Sequence, residues 1–343
     1  MSEIVEALSR GPYGDPIGLA QDVRTFYEGL SEMLDQVTGI TLERTGDTLV
    51  GRSIRRAYLD RAFRAAAGAD TKAARRLLHE GQELLRSVPA SPDTEGYRLA
   101  GDWSSFAAGR VLTKAVHAEL TPRAVEVLPA SESDVRRVGD GAALLTGALG
   151  ELASTTLDCV AGAVLFECGT VTSVFMPTVP EISGLNRAVL GDPVALACAM
   201  YHEACHQKLQ DLIATRQIIP AHHDYTRGTP ITLPWGLVNG QRRDMEALRA
   251  LFAFHVYVHL TSFLVEHARS TGDGYKAERL SEAWERCRFF WTLMKSGAMD
   301  GDFADDGRDL ICWLNGVCER LSKAVPDDRG LYVEDALLQV RVS

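Results

Sequence analysis

The sequence predicts a mainly α-helical protein: a single helical domain with a small β-hairpin or sheet element just ahead of a helix that carries His-Glu-x-x-His. Three observations lead there. Long stretches on both sides of residue 160 place apolar residues at intervals of three and four, the period of a helix with one buried face. The main β-type pattern is confined to about residues 160–176. A breaker-free apolar run then follows Asp192-Pro193, a helix start with its cap and a proline at the first position. No linker, repeat or low-complexity tract divides the 343 residues. The expected organisation is a helical N-terminal part (1–120), a core around the motif (121–265) and C-terminal helices (266–343).

Asp15-Pro16 opens a helix through Leu19, Val23, Phe26, Tyr27, Leu30 and Leu34. Residues 53–88 are basic and alanine-rich, with Arg55, Arg56, Arg61, Arg64, Arg75 and Arg76; they read as a solvated helical hairpin. Ala90 to Gly96 is a loop by composition, and a helix follows over about 103–119. Pro122 marks a break, Ala124 to Leu128 alternates like a short strand, and Ser133 to Ser154 is one amphipathic helix. Val160–Phe166 and Val171–Met176 flank Glu167-Cys168-Gly169-Thr170 and read as a hairpin. A Gly/Asn-containing connection leads to the motif helix. A sheet in this position can hold an extended peptide at its edge. The Pro/Gly-bearing loop from Pro220 to Gly236 precedes a strongly apolar helix, Met245 to Val265. Helices over about 276–296, 305–324 and from 332 complete the chain.

The motif is His202-Glu203-Ala204-Cys205-His206. On a helix the two histidines stand one turn apart on one face, so their imidazoles can close on one metal ion. Glu203, on the adjacent flank, can reach a metal-bound water. A chance match is expected in roughly one or two chains per hundred of this length, and it would more often fall on a charged helix or in a loop. Here it falls in an apolar helix, where polar groups are costly unless paired or ligated.

A catalytic metal usually takes three protein ligands. His222 and His223 lie in the nearby loop. Glu246, His255 and His259 lie on the next long helix. At about 100° per residue, Glu246, Arg249, Ala250 and Ala253 share a side, whereas His255 and His259 project elsewhere and read as core histidines. Glu246 is the favoured third ligand. The resulting triad of two histidines and one carboxylate suits a zinc peptidase, with Glu203 as general base, or an Fe(II) oxygenase.

The net charge of −10 and pI near 5.4 argue against nucleic-acid binding and against a polybasic membrane anchor. Met1 to Glu6 is acidic where a signal peptide would be basic, and no apolar stretch reaches 18 residues. The seven cysteines are odd in number and scattered, without a disulfide framework or Cys-x-x-Cys pair, so a cytoplasmic location is expected.

The run Tyr201–Leu209, the element Leu233-Pro234-Trp235 and the run Arg242–Phe254 (RRDMEALRALFAF) together resemble the HExxH-type peptide β-hydroxylases. These are 2-oxoglutarate- and iron-dependent tailoring enzymes of ribosomally synthesised peptides. The likeness covers about residues 160–260, and its sharp part is HExxH. One departure is clear: Arg249 stands where the family has a downstream histidine. The resemblance implies an Fe(II)/2-oxoglutarate hydroxylase acting on a C–H bond of a peptide or amino-acid-like substrate. His202, His206 and Glu246 would hold iron, and Arg249 or Arg242 would pair with the distal carboxylate of 2-oxoglutarate. Glu203 would then orient a metal ligand by a hydrogen bond rather than bind the metal itself. The competing expectation is a gluzincin-type zinc peptidase. It lacks an acid four residues after Glu246, where Ala250 stands.

Overall fold

The computed structural model describes all residues except 1, 12, 43–47, 90–97, 100–102, 104–105, 121–125, 161, 170, 222–229, 236–243, 273–276, 326–329 and 343. The chain is 73% helical with a small β component, the mainly-α class that the sequence predicts. In chain order the elements are α1 (Glu3–Arg10), α2 (Pro16–Thr38), α3 (Leu49–Ala67), α4 (Thr71–Arg86), β1 (Arg98–Leu99), α5 (Ala107–Leu120), β2 (Glu126–Leu128), α6 (Glu132–Leu149) and α7 (Glu151–Leu157). There follow β3 (Gly162–Glu167), β4 (Ser173–Phe175), β5 (Ile182–Asn186), α8 (Pro193–Thr215), β6 (Ile231–Thr232), β7 (Asp244–Met245), α9 (Ala247–Thr271), α10 (Ala277–Lys295), α11 (Asp305–Ala324) and α12 (Val333–Val342). The residues group into two compact units. A sheet unit comprises Ala20–Leu144 and Ser154–Gln207, and a helical unit comprises Met1–Leu19, Leu145–Ala153 and Lys208–Ser343.

In the sheet unit, β3 is the spine. β5 runs parallel to it on one side, and β1 (parallel) and β2 (antiparallel) share its other side; β4 lies antiparallel beyond β5. Side chains alternate across a strand. Val164, Phe166, Val174 and Ile182 therefore join one core with Leu34, Ile54, Leu59, Leu78, Leu112 and Val116 from α2 to α5. Ala163, Leu165, Ser183 and Leu185 are buried on the opposite face.

The sequence-predicted β3–β4 hairpin is corrected here. β5 lies between the two strands, built from the stretch read as a connection. Two residues make room for it. Gly184 lies under the Phe166 ring, where a Cβ would stand 3.0 Å from Cε1. The Asn186 side chain donates to the carbonyls of Cys168 (2.5 Å) and Val171 (2.7 Å), tying the β3–β4 connection across the end of β5. The single helix expected over 133–154 is also two helices. Gly150, at φ +61, ends α6 in the left-handed conformation that glycine adopts without a Cβ clash.

In the helical unit, α10 packs against α9, α11 and α12, and α1 packs on α11. Trp284, Phe289, Phe290, Phe254 and Phe263 are fully buried and supply its largest core side chains. Buried Glu285 accepts the backbone N–H groups of Gly330 and Leu331 at 2.9 and 2.8 Å, which fixes the approach to α12. Trp235, of the Pro-Trp element, sits among Phe289, Phe290, Tyr257 and Tyr332, with the Arg286 guanidinium 5.6 Å from its ring centre. Helix α9 is long and apolar enough to cross a membrane, but 72% of its most apolar window is buried in the protein, as a core helix requires.

Candidate metal centre

Helix α8 begins as its sequence dictates. Asp192 Oδ1 accepts from the N–H groups of Val194 and Ala195 at 3.0 Å each, satisfying two of the orphan donors of the first turn. Ala197, Met200, Tyr201, Ala204 and Cys205 are buried, so the motif turn belongs to a largely buried helix. Burial pushes the Tyr201 phenol well above its usual range, so the residue beside His202 stays neutral.

His202 and His206 are half-buried, and Glu203 is 2% exposed. The two Nε2 atoms stand 3.0 Å apart, with ring centroids 4.7 Å apart and planes at 69°. Glu203 Oε1 lies 4.0 Å from His202 Nε2. One ligand atom from each of the three residues falls within 4.8 Å of the others. These residues fit a metal ion. Two nitrogens at about 2.0–2.1 Å from one ion stand about 2.9 Å apart at a right angle and about 3.4 Å apart at the tetrahedral angle.

Two contacts of the sheet unit hold this turn. The Phe175 ring of β4 stacks on His206, centroids 5.4 Å apart and planes at 29°. Buried Gln207 accepts the Glu181 N–H at 3.1 Å. Glu181 in turn binds Arg56 Nη1 through Oε1 (3.1 Å) and Arg52 Nε through Oε2 (3.0 Å). Arg56 therefore corrects the reading of 53–88 as a solvated basic hairpin. It is 7% exposed, because Glu181 neutralises it and the Tyr27 ring, 4.8 Å away, covers it. Glu181 has φ +66, a backbone that costs a non-glycine residue of order 1–3 kcal/mol and often marks functional regions.

The remaining sequence-predicted residues belong to the helical unit. Glu246 follows β7 as the N-cap residue of α9, with extended backbone (φ −83, ψ 165) and no capping hydrogen bond from its side chain. Arg249, in the first turn of α9, is exposed. Arg242, His222 and His223 lie outside the described residues. His255 and His259 are completely buried on α9, with ring centroids 4.5 Å apart. Burial, reinforced by His255 and Lys208, holds His259 well below the usual imidazole range, so it is neutral.

Sequence reasoning missed Phe175, Glu181, Gln207 and Arg52. The available signals were slight: Pro180 immediately before Glu181, and Arg52 and Arg56 at i,i+4 on one helix. No protein-family model matches the chain, and no curated protein matches it.

Proposed function

We propose that the chain is a non-heme Fe(II)/2-oxoglutarate-dependent hydroxylase acting on a C–H bond of a peptide or amino-acid-like substrate in natural-product tailoring. The observation that carries the metal part is the 3.0 Å separation of His202 Nε2 and His206 Nε2 beside a buried carboxylate. The resemblance of the motif run, the Pro-Trp element and the Arg242–Phe254 run to peptide β-hydroxylases supports the choice of reaction. Iron with 2-oxoglutarate and O₂ supplies the oxidising power that inserts one oxygen atom into the C–H bond, releasing succinate and CO₂.

In this reading His202 and His206 supply two of the ligands. Arg249 or Arg242 presents a guanidinium fork to the distal carboxylate of 2-oxoglutarate. Glu203, too close to His202 to be indifferent to the site's charge, orients a ligand from behind. Seven free cysteines suit a reducing cytoplasm.

A second reading, a zinc peptidase of the gluzincin type, is favoured by the same placement of Glu203, where it could serve as general base. Succinate formation separates the two. With Fe²⁺, ascorbate and candidate peptides the protein should convert 2-oxoglutarate to succinate, and Glu203→Gln should reduce this only mildly. Zn²⁺-dependent peptide cleavage lost by several orders of magnitude in Glu203→Gln would establish the peptidase instead.

A further inference from the structure

Glu181 uses every polar group it has. Its C=O accepts the Gly162 N–H of β3 at 3.3 Å, and its N–H donates to Gln207 of α8 at 3.1 Å. Its two carboxylate oxygens are held by Arg56 and Arg52 of α3, and the residue is 8% exposed. One residue thus joins α3, β3 and α8. It does so with φ +66, a conformation that directs its N–H differently from that of an extended strand residue.

Gln207 directly follows His206, about 1.5 Å along the axis and about 100° round it. A helical turn rotates as one body. The bond that fixes the Gln207 side chain therefore constrains the angle at which His206 leaves the helix, and His202 one turn earlier. Phe175 limits the same imidazole from its face.

We propose that Glu181 is a positioning residue: its left-handed backbone, clamped by Arg52 and Arg56, holds Gln207 and so sets the rotation of the α8 turn that carries His202 and His206. The role in metal binding rests on the reading of these histidines as ligands; the role in aiming His206 does not. The arrangement makes a clamp outside the ligand set decide how closely the two imidazoles converge.

The test uses the full chain and two variants. Gln207→Leu removes the acceptor with little change of volume, and Glu181→Gln keeps the shape but removes the charge held by the arginines. Histidine-labelled, metal-free protein is followed by NMR, because the His206 ring resonances carry the ring-current field of Phe175. Co²⁺ is then titrated as the probe metal. Both folded variants should move the His206 ring resonances, leave those of His259 in place and weaken Co²⁺ binding about tenfold, the lower end for groups that orient ligands. A purely structural role would lower stability and leave the His206 signals of the folded protein unchanged. If Glu181→Gln does not fold, Gln207→Leu decides. His206 resonances that move in the variants, together with a wild type unable to bind Co²⁺, would uphold the positioning role and sink the metal centre. Unchanged His206 resonances and unchanged Co²⁺ affinity in folded Gln207→Leu would overturn the proposal while leaving the metal centre intact.

Discussion

Replacing Glu181 by alanine and by glycine should give an inverted order of stability, glycine above alanine. Removing the carboxylate takes from Arg56 a partner 3.1 Å away in a buried setting, a change that costs about 3–5 kcal/mol when one member of a buried pair is lost. The Arg52 side chain is 42% exposed, so its share is small, about 0–1 kcal/mol. The Tyr27 ring continues to cover Arg56, which favours the lower end, about 3 kcal/mol. Alanine would still bear the left-handed backbone at about 1–2 kcal/mol, whereas glycine is free of it and gives back about 0.5–1 kcal/mol in chain entropy. Glu181→Gly should therefore be roughly 0.5–1 kcal/mol more stable than Glu181→Ala. Four of the five tryptophans, Trp235, Trp284, Trp291 and Trp313, belong to the helical unit, so fluorescence reports the wrong half of the molecule. Native-state hydrogen exchange at the amides of β3 and β5 reads the affected part directly. An alanine variant as stable as the glycine variant would refute the backbone argument. Both variants within about 0.5 kcal/mol of the wild type would refute the ion-pair argument.

Gly307→Ala in α11 should destabilise the helical unit by about 1–3 kcal/mol, because the new Cβ would stand 2.3 Å from the Ile218 carbonyl oxygen; urea unfolding followed by tryptophan fluorescence measures it, and an unchanged midpoint would contradict the packing. His259 is held neutral in the folded state but takes a proton below about pH 6.5 when unfolded, so stability should fall with falling pH by up to about 1.4 kcal/mol per unit. His259→Leu should remove that part of the slope between pH 6.5 and 5.5, and equal slopes in urea titrations of the two proteins would show the reverse. Arg249→Ala, at an exposed position, should leave stability and iron affinity unchanged but raise the 2-oxoglutarate concentration for half-maximal succinate formation about tenfold. An unaltered requirement would move that role to Arg242.

Periodicity made the helices legible. α11 runs over Asp305–Ala324, the span its apolar spacing predicts, and α8 starts at the Asp192-Pro193 signal. β5 was not legible, since Ile182-Ser183-Gly184-Leu185-Asn186 holds three residues with weak strand preference. Its place is set by tertiary fit: a glycine under Phe166 and an asparagine that ties a neighbouring connection. The break at Gly150 depended on a positive φ that a lone glycine in an amphipathic pattern does not announce. At the site, the spacing of His202 and His206 was sufficient, because i,i+4 on a helix fixes two side chains relative to one another. Phe175 and Glu181 were hidden because sheet topology, not sequence distance, brings them to α8. Arg56 read as solvated because its acid lies 125 residues away in the chain.

The most direct test of the central claim is calorimetric titration of 2-oxoglutarate into anaerobic protein loaded with Mn²⁺, an ion that holds the site without turnover. The wild type should bind one 2-oxoglutarate per chain only when Mn²⁺ is present, and the His202→Ala/His206→Ala double variant should bind neither. A wild type that takes up no 2-oxoglutarate, or a double variant that binds metal and 2-oxoglutarate as the wild type does, would contradict the account.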